Sequence, residues 1–294
     1  MFSLILFASF ATLSFFISDI IYKYVSDYFE YYKIAAIVTG IGAIPMFLLL
    51  LVNLNFSNLF AGFKIDVFII ISSIFLVAGY ILNFMTLKTE QATNTFSLSV
   101  LQPAMLIMFG FFVMKEHITF IEIIALILLV IGTFLVTSNE RLKLNKQFIP
   151  AIVANISWAS YWFIMALMLT IKGINYISFI SFSRMFAFVV GIVFLFWLNA
   201  KRHRNIAKKY NDKQKNINKK LVLIIFIAAF SDGIGNLLFL FITKSKNLIF
   251  GSIFLAMLPA LIGIFAYLFF KDRLNKMQLI GLAMIISIGV LLSL

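Results

Sequence analysis

Apolar runs of about twenty residues, each closed by a short polar interval, follow one another from Phe2 to Leu294. A hydrocarbon core about 30 Å thick takes roughly 20 apolar residues of helix to cross, so each run reads as a membrane-spanning segment. The polar intervals divide the chain into ten: Phe2–Tyr22, Ile34–Val52, Val67–Leu87, Asn94–Met114, Phe120–Thr137, Phe148–Ile171, Ile177–Leu198, Leu221–Ile242, Leu248–Phe270 and Met277–Leu294. An open strand edge in lipid leaves backbone donors and acceptors unpaired, so all ten are expected to be helices. The predicted fold is all-α, a polytopic membrane protein. The first run has no basic start and no small-x-small cleavage site, so it is expected to stay as the first span.

The pattern repeats. At a shift of 156 residues Gly79–Leu126 aligns with Gly235–Leu282 without a gap, and Gly79/Gly235, Lys88/Lys244, Pro103/Pro259, Ala104/Ala260, Phe109/Phe265 and Lys115/Lys271 are identical. Glu116 meets Asp272 at the same shift, and Thr119-x-x-Glu122 meets Asn275-x-x-Gln278. Each of the last two opens an apolar run and reads as a capping box, in which two side chains satisfy free amides at a helix start. A first unit over residues 1–137, a linker over 138–147 and a second unit over 148–294 follow. Five spans per unit is an odd number, so tandem units enter the membrane from opposite sides. Inverted repeats with a site between the halves are a recurring design of secondary transporters.

Composition agrees with lipid as the solvent: 63% of residues are hydrophobic and 12% charged, and the mean hydropathy is +1.07. The net charge of +13 raises nucleic acid as a partner, but nine of the 24 Lys and Arg fall in Lys201–Lys220, a solvated basic loop over 200–220. There is no Cys, hence no disulfide, thiol nucleophile or zinc thiolate. No motif asks for a metal or cofactor. Intervals after spans one, three, five, seven and nine hold about 18 basic residues against about five on the other side. The positive-inside rule then places both termini outside.

An ionisable group inside a span is costly and is a functional candidate by default. Asp19, Arg184 and Asp232 are the three. Arg184 and Asp232 lie at depths that differ by only about 5 Å at 1.5 Å per residue, so they can form a buried pair. That pair either fixes spans seven and eight together, or serves transport, Arg184 meeting a substrate carboxylate or Asp232 exchanging a proton or cation. Asp19 lies four residues before Lys23, on the same helical face, and reads as half of a solvated boundary pair.

Polar stripes add weaker candidates. Thr95, Ser99 and Gln102 share a face of span four, as do Asn155, Trp158 and Trp162 in span six. Tyr80 and Asn83 are one turn apart in span three, and Asp232 and Asn236 in span eight. These groups either line a wet cavity or bond neighbouring helices. Pro103 and Pro259 each remove a helix hydrogen bond, as a hinge or a static kink. Glycines such as Gly79, Gly235, Gly251, Gly263 and Gly281 read as close-packing positions.

Two of the sequences carry a resemblance. VLQPAMLIMFGFFVMKEHITFIEIIALILLVIG and AMLPALIGIFAYLFFKDRLNKMQLIGLAMIISIG, each with a proline and an acidic residue 13 positions later, resemble the EamA-type repeat of the drug/metabolite transporter superfamily. The family's basic residue early in the second helix of each repeat corresponds to Lys33 and Arg184. Asp272 stands where Glu is usual, Ala125 where the first repeat normally carries Gly, and Lys33 in place of Arg. The resemblance implies ten spans, inverted repeats, a central cavity and transport of amino acids, other metabolites or drugs, with export the family-level expectation and cytoplasmic termini, against the charge count.

The expected function is therefore secondary transport of a small solute by alternating access, in the plasma membrane, by a monomer or homodimer. Without an ATP-binding P-loop, either proton exchange or passive exchange with a counter-solute fits. Rivals are an intramembrane enzyme and a channel or scaffold. No HExxH, no GxSxG and no aspartate-rich pair is present, and His117 and His203 both fall in loops. Nor is there a selectivity run or acidic ring.

Overall fold

The computed structural model describes residues 2–53, 67–89, 95–96, 98–137, 149–170, 176–205, 219–244, 248–270 and 275–293, and among them there are helices and no strands. In order they are α1 Phe2–Ser26, α2 Tyr31–Gly42, α3 Ile44–Asn53, α4 Val67–Thr89, a 3₁₀ turn Leu98–Val100, α5 Leu101–Phe112, α6 Phe120–Thr137, α7 Ile149–Thr170, α8 Tyr176–Asn205, α9 Lys219–Lys244, α10 Leu248–Ala256, α11 Leu258–Phe265, a π-helical turn Ala266–Phe270, and α12 Lys276–Ser293. Seven segments are long and apolar enough to cross a membrane, while Leu98–Phe112, Ile123–Gly132 and Lys276–Ile285 are shorter apolar helices. The shorter three fall on the expected spans four, five and ten.

Prolines explain where helices break. The expected span two is interrupted at Ala43, with Pro45 the second residue of α3. The expected span nine is interrupted at Met257, with Pro259 the second residue of α11. In span four the 3₁₀ turn gives way to α5 two residues before Pro103. At each place the ring lacks an amide and crowds the preceding turn, so the ladder restarts just ahead of it. The break at Pro45 lies inside a single apolar segment, Tyr31–Val52, which covers the expected span two. The reading of the basic interval as a loop is corrected. Its ends are helical, α8 running to Asn205 and α9 beginning at Lys219, and its middle lies outside the described residues.

Packing pairs helices of one repeat with helices of the other. α1 lies against α9 and α4 against α7, α2 against both α8 and α9, α4 also against α8, α5 against α10, and α6 against α12. Exchanging the repeats turns each pair into another of the set, so the arrangement has an internal two-fold. Hydroxyls tie the contacts: Ser231 Oγ donates to Ser14 O at 3.0 Å, Ser73 Oγ to Ser183 O at 2.7 Å and Ser181 Oγ to Met46 O at 3.1 Å. Glu116 also crosses between repeats, accepting from the Leu248 and Ile249 amides at 3.1 and 2.9 Å. It thereby caps the free N–H groups that open α10.

At the start of α12 the expected capping box is present. Asn275 N–H donates to Gln278 Oε1 and Gln278 N–H to Asn275 Oδ1, both at 2.9 Å. In the first repeat the side chain of Glu122 lies outside the described set. Asn275→Ala deletes one acceptor and is expected to cost about 1 kcal/mol, read as a lower melting temperature of the detergent-purified protein. An unchanged melting temperature would show that the box contributes nothing.

Candidate functional site

The charge pair is at the centre of the helical bundle. Arg184 on α8 and Asp232 on α9 meet at 3.0 Å, Nη1 to Oδ2, with side-chain exposures of 0% and 7%. Tyr80 of α4 donates its hydroxyl to the same Oδ2 at 2.5 Å and accepts from Arg184 Nη2 at 3.3 Å. Asn236, one turn on from Asp232, donates Nδ2 to Asp232 O at 2.8 Å and to Oδ2 at 3.3 Å. Among the described residues the hydrogen bonds to this carboxylate's side chain all end on Oδ2, and Asp232 borders the cavity beside it.

Glycines make room for the pair. A Cβ on Gly42 would stand 2.5 Å from Arg184 Nη1, and one on Gly233 would stand 2.5 Å from Gly42 O. The end of α2 therefore touches α9 backbone to backbone, and the guanidinium packs over the bare Gly42 Cα. The Tyr161 hydroxyl interacts electrostatically with Arg184 but closes no hydrogen bond among the described residues, and neither does Arg184 Nε.

Beside the pair is a cavity of about 680 Å³ with its open mouth included. α1 lines it with Phe15, Asp19 and Tyr22, α4 with Leu76, Tyr80 and Asn83, and α7 with Trp158, Tyr161 and Trp162. Phe96, Ser99, Gln102 and Pro103 enter from the first repeat's broken segment, Leu255 and Leu258 from the second's, and Asp232 and Asn236 from α9. The two-fold shows in the wall. Gly79 seats the Trp158 ring and Gly235 seats the Phe15 ring, so the paired glycines each hold an aromatic against the cavity. Ser99 pairs with Leu255 and Gln102 with Leu258 at the same shift of 156.

Of the residues singled out in the sequence, Tyr80, Asn83, Ser99, Gln102, Trp158, Trp162, Asp232, Asn236 and Pro103 come together on this wall. Arg184 stands behind it, screened by Tyr80 and Asp232. Thr95 is buried away from the wall, and Asn155 spends its Nδ2 on Ala151 O at 2.8 Å. Pro259 is off the wall, next to Leu258. Asp19 is not a boundary residue: it faces the cavity, while Lys23 Nζ donates to Leu87 O on α4 at 2.6 Å. Tyr22 was missed, although Phe15, Asp19 and Tyr22 follow i, i+4, i+7 spacing and so share one face.

Both halves of the chain, residues 2–138 and 146–294, match the EamA-like transporter family. The chain belongs to this family. As an EamA-type protein it is an integral, multi-pass membrane protein and a transporter of the drug/metabolite superfamily, built from two copies of the EamA repeat. A solved structure described as "Crystal structure of protein" aligns with it at a TM-score of 0.59 and 13% identity, over 95% of each chain, and supports the fold. No curated protein matches the chain. Within the EamA frame the two repeats differ in charge. Lys33, placed like Arg184 by the family pattern, pairs with Glu30 at 2.9 Å at the protein surface, where Tyr32 also donates to Glu30. Leu76 occupies the place of Asp232 at the shift of 156. Among the described residues the buried pair belongs to the second repeat alone.

Proposed function

We propose that this EamA-type chain crosses the membrane ten times, as two inverted five-helix units over residues 1–137 and 148–294, and exports a small solute by alternating access. The plasma membrane is its place, and a proton or counter-solute returns on each cycle. The single observation that supports this most is a cavity whose wall is drawn from both repeats at two-fold-related positions. Two-fold packing with one open mouth has a counterpart of nearly equal energy in which the repeats exchange roles, and that exchange moves the mouth to the other side. Pro103 and Pro259, with Pro45, break the ladders where such rocking needs compliance.

In this reading the polar wall binds the solute, namely Tyr80, Asn83, Ser99, Gln102, Trp158, Trp162, Asp232 and Asn236. Arg184 is a positioning residue that holds Asp232 through Oδ2. Thr95 and Asn155 support the broken segment and α7 from behind. Enzymatic chemistry has less support, since no serine, threonine, cysteine or lysine is paired with a base among the described residues of the wall.

A thermal-shift screen of the solubilised protein against amino acids, nucleotides, sugars and cationic drugs should give a hit, because a ligand bound to the folded state stabilises it by mass action. Uptake of that hit into proteoliposomes then tests the site. A Cβ on Gly79 would lie 2.5 Å from Trp158 Cδ1, so Gly79→Val drives the indole into the cavity and is expected to cut uptake by at least about tenfold. Full uptake by the folded Gly79→Val protein would place the solute path elsewhere.

A further inference from the structure

The Arg184–Asp232 pair balances its own charge, and Asp19 is left over. Its carboxylate faces the cavity from the middle residue of the Phe15, Asp19, Tyr22 face. Among the described residues it has no hydrogen bond and no ion pair, and Asp232 stands on the same wall. Among the described residues Asp19 and Asp232 are the charged groups of the wall, and no Lys, Arg or His joins them there. Arg184, behind the wall, has no exposed surface and is engaged by Asp232 and Tyr80. Ring faces supply much of the remainder, Tyr80 and Trp158 meeting edge to face at 5.6 Å between centroids and Trp162 lying beside them.

An unpaired carboxylate in a low-dielectric pocket is stabilised most by an opposite charge. Aromatic faces attract a cation as well, and more strongly when both are desolvated. An anionic solute meets only like charge here. A zwitterion satisfies Asp19 with its ammonium but finds no accessible base for its carboxylate. We propose that the cavity takes a singly charged organic cation with an aromatic or apolar body, with Asp19 as its counter-ion. This names the substrate class of the transport site and rests on the cavity being that site.

Four probes that share an indole body and differ in charge test it: tryptamine, tryptophan, indole-3-propionate and the neutral tryptophol, each titrated calorimetrically into the solubilised full-length chain. Tryptamine is expected to bind at least about tenfold more tightly than tryptophan or tryptophol, with indole-3-propionate weakest. Asp19→Asn keeps the side-chain volume and should bring tryptamine down to the level of tryptophol while leaving tryptophol unchanged. The wild-type ranking needs no variant to fold. Binding of tryptophan or indole-3-propionate as tight as that of tryptamine overturns the inference and leaves the site standing, as does an Asp19→Asn protein that still prefers the amine. Failure of all four to bind, or binding unaffected by Gly79→Val, removes the cavity as the substrate site and the inference with it.

Discussion

Arg184→Ala is expected to destabilise the protein by about 3–5 kcal/mol, the cost of leaving one partner of a buried ion pair without the other, and to abolish solute uptake. The guanidinium donates to Asp232 Oδ2 and to the Tyr80 hydroxyl, and its removal leaves a carboxylate held by Tyr80 and Asn236 alone. Asp232→Asn is expected to cost a similar amount, because it leaves the guanidinium buried with no countercharge. The decisive comparison is the double variant Arg184→Gln/Asp232→Asn, whose neutral amides can still bond each other. It should recover most of the lost stability, measured by chemical unfolding in mixed micelles, without recovering transport. Were the double variant as unstable as the sum of its singles, the two residues would be acting independently and the pair would not organise the bundle.

The second large effect comes from a residue with no side chain. Gly233→Ala places a methyl 2.5 Å from Gly42 O and 3.0 Å from both Gly42 Cα and Pro45 Cγ. Backbone and a proline ring cannot swing aside, so α2 must move off α9, at an expected cost of about 3 kcal/mol. Gly40→Ala is the control. Its methyl would meet the Phe188 ring at 2.7 Å, but Phe188 is 39% exposed and can turn away, so the cost should stay under about 1 kcal/mol. Equal melting temperatures for the two variants would mean that the α2–α9 contact yields freely and that its glycines are incidental.

The features legible in the sequence were those that depend on local spacing or on scarcity. Ten apolar runs, the repeat at 156 residues and the Asn275/Gln278 box are patterns of neighbours. The Arg184–Asp232 pair was legible because charges in apolar spans are few and helical rise gives their depths. Asp19 was misread for the same reason that the pair was found. Local spacing offered Lys23 at i+4, whereas the lysine's bond to the Leu87 carbonyl reaches across 64 residues, and nothing in the sequence orders those two claims. Glu116 matched Asp272 in the repeat but gave no hint of its task, since the amides it caps belong to a helix more than 130 residues on. The symmetry of the repeats also concealed their difference in charge. Only packing shows that Lys33 is at the surface while Arg184 is inside.

The cross-repeat packing bears on how the chain is made. α8 and α9 are consecutive, so Arg184 and Asp232 meet soon after the second of them enters the bilayer. α1 is synthesised well before its main partner α9, which begins only at Lys219. Synthesis proceeds from the N-terminus, so Asp19 waits for the helix that carries Asp232 while nearly two hundred intervening residues are made. The residue assigned to the solute burdens the nascent protein through that interval.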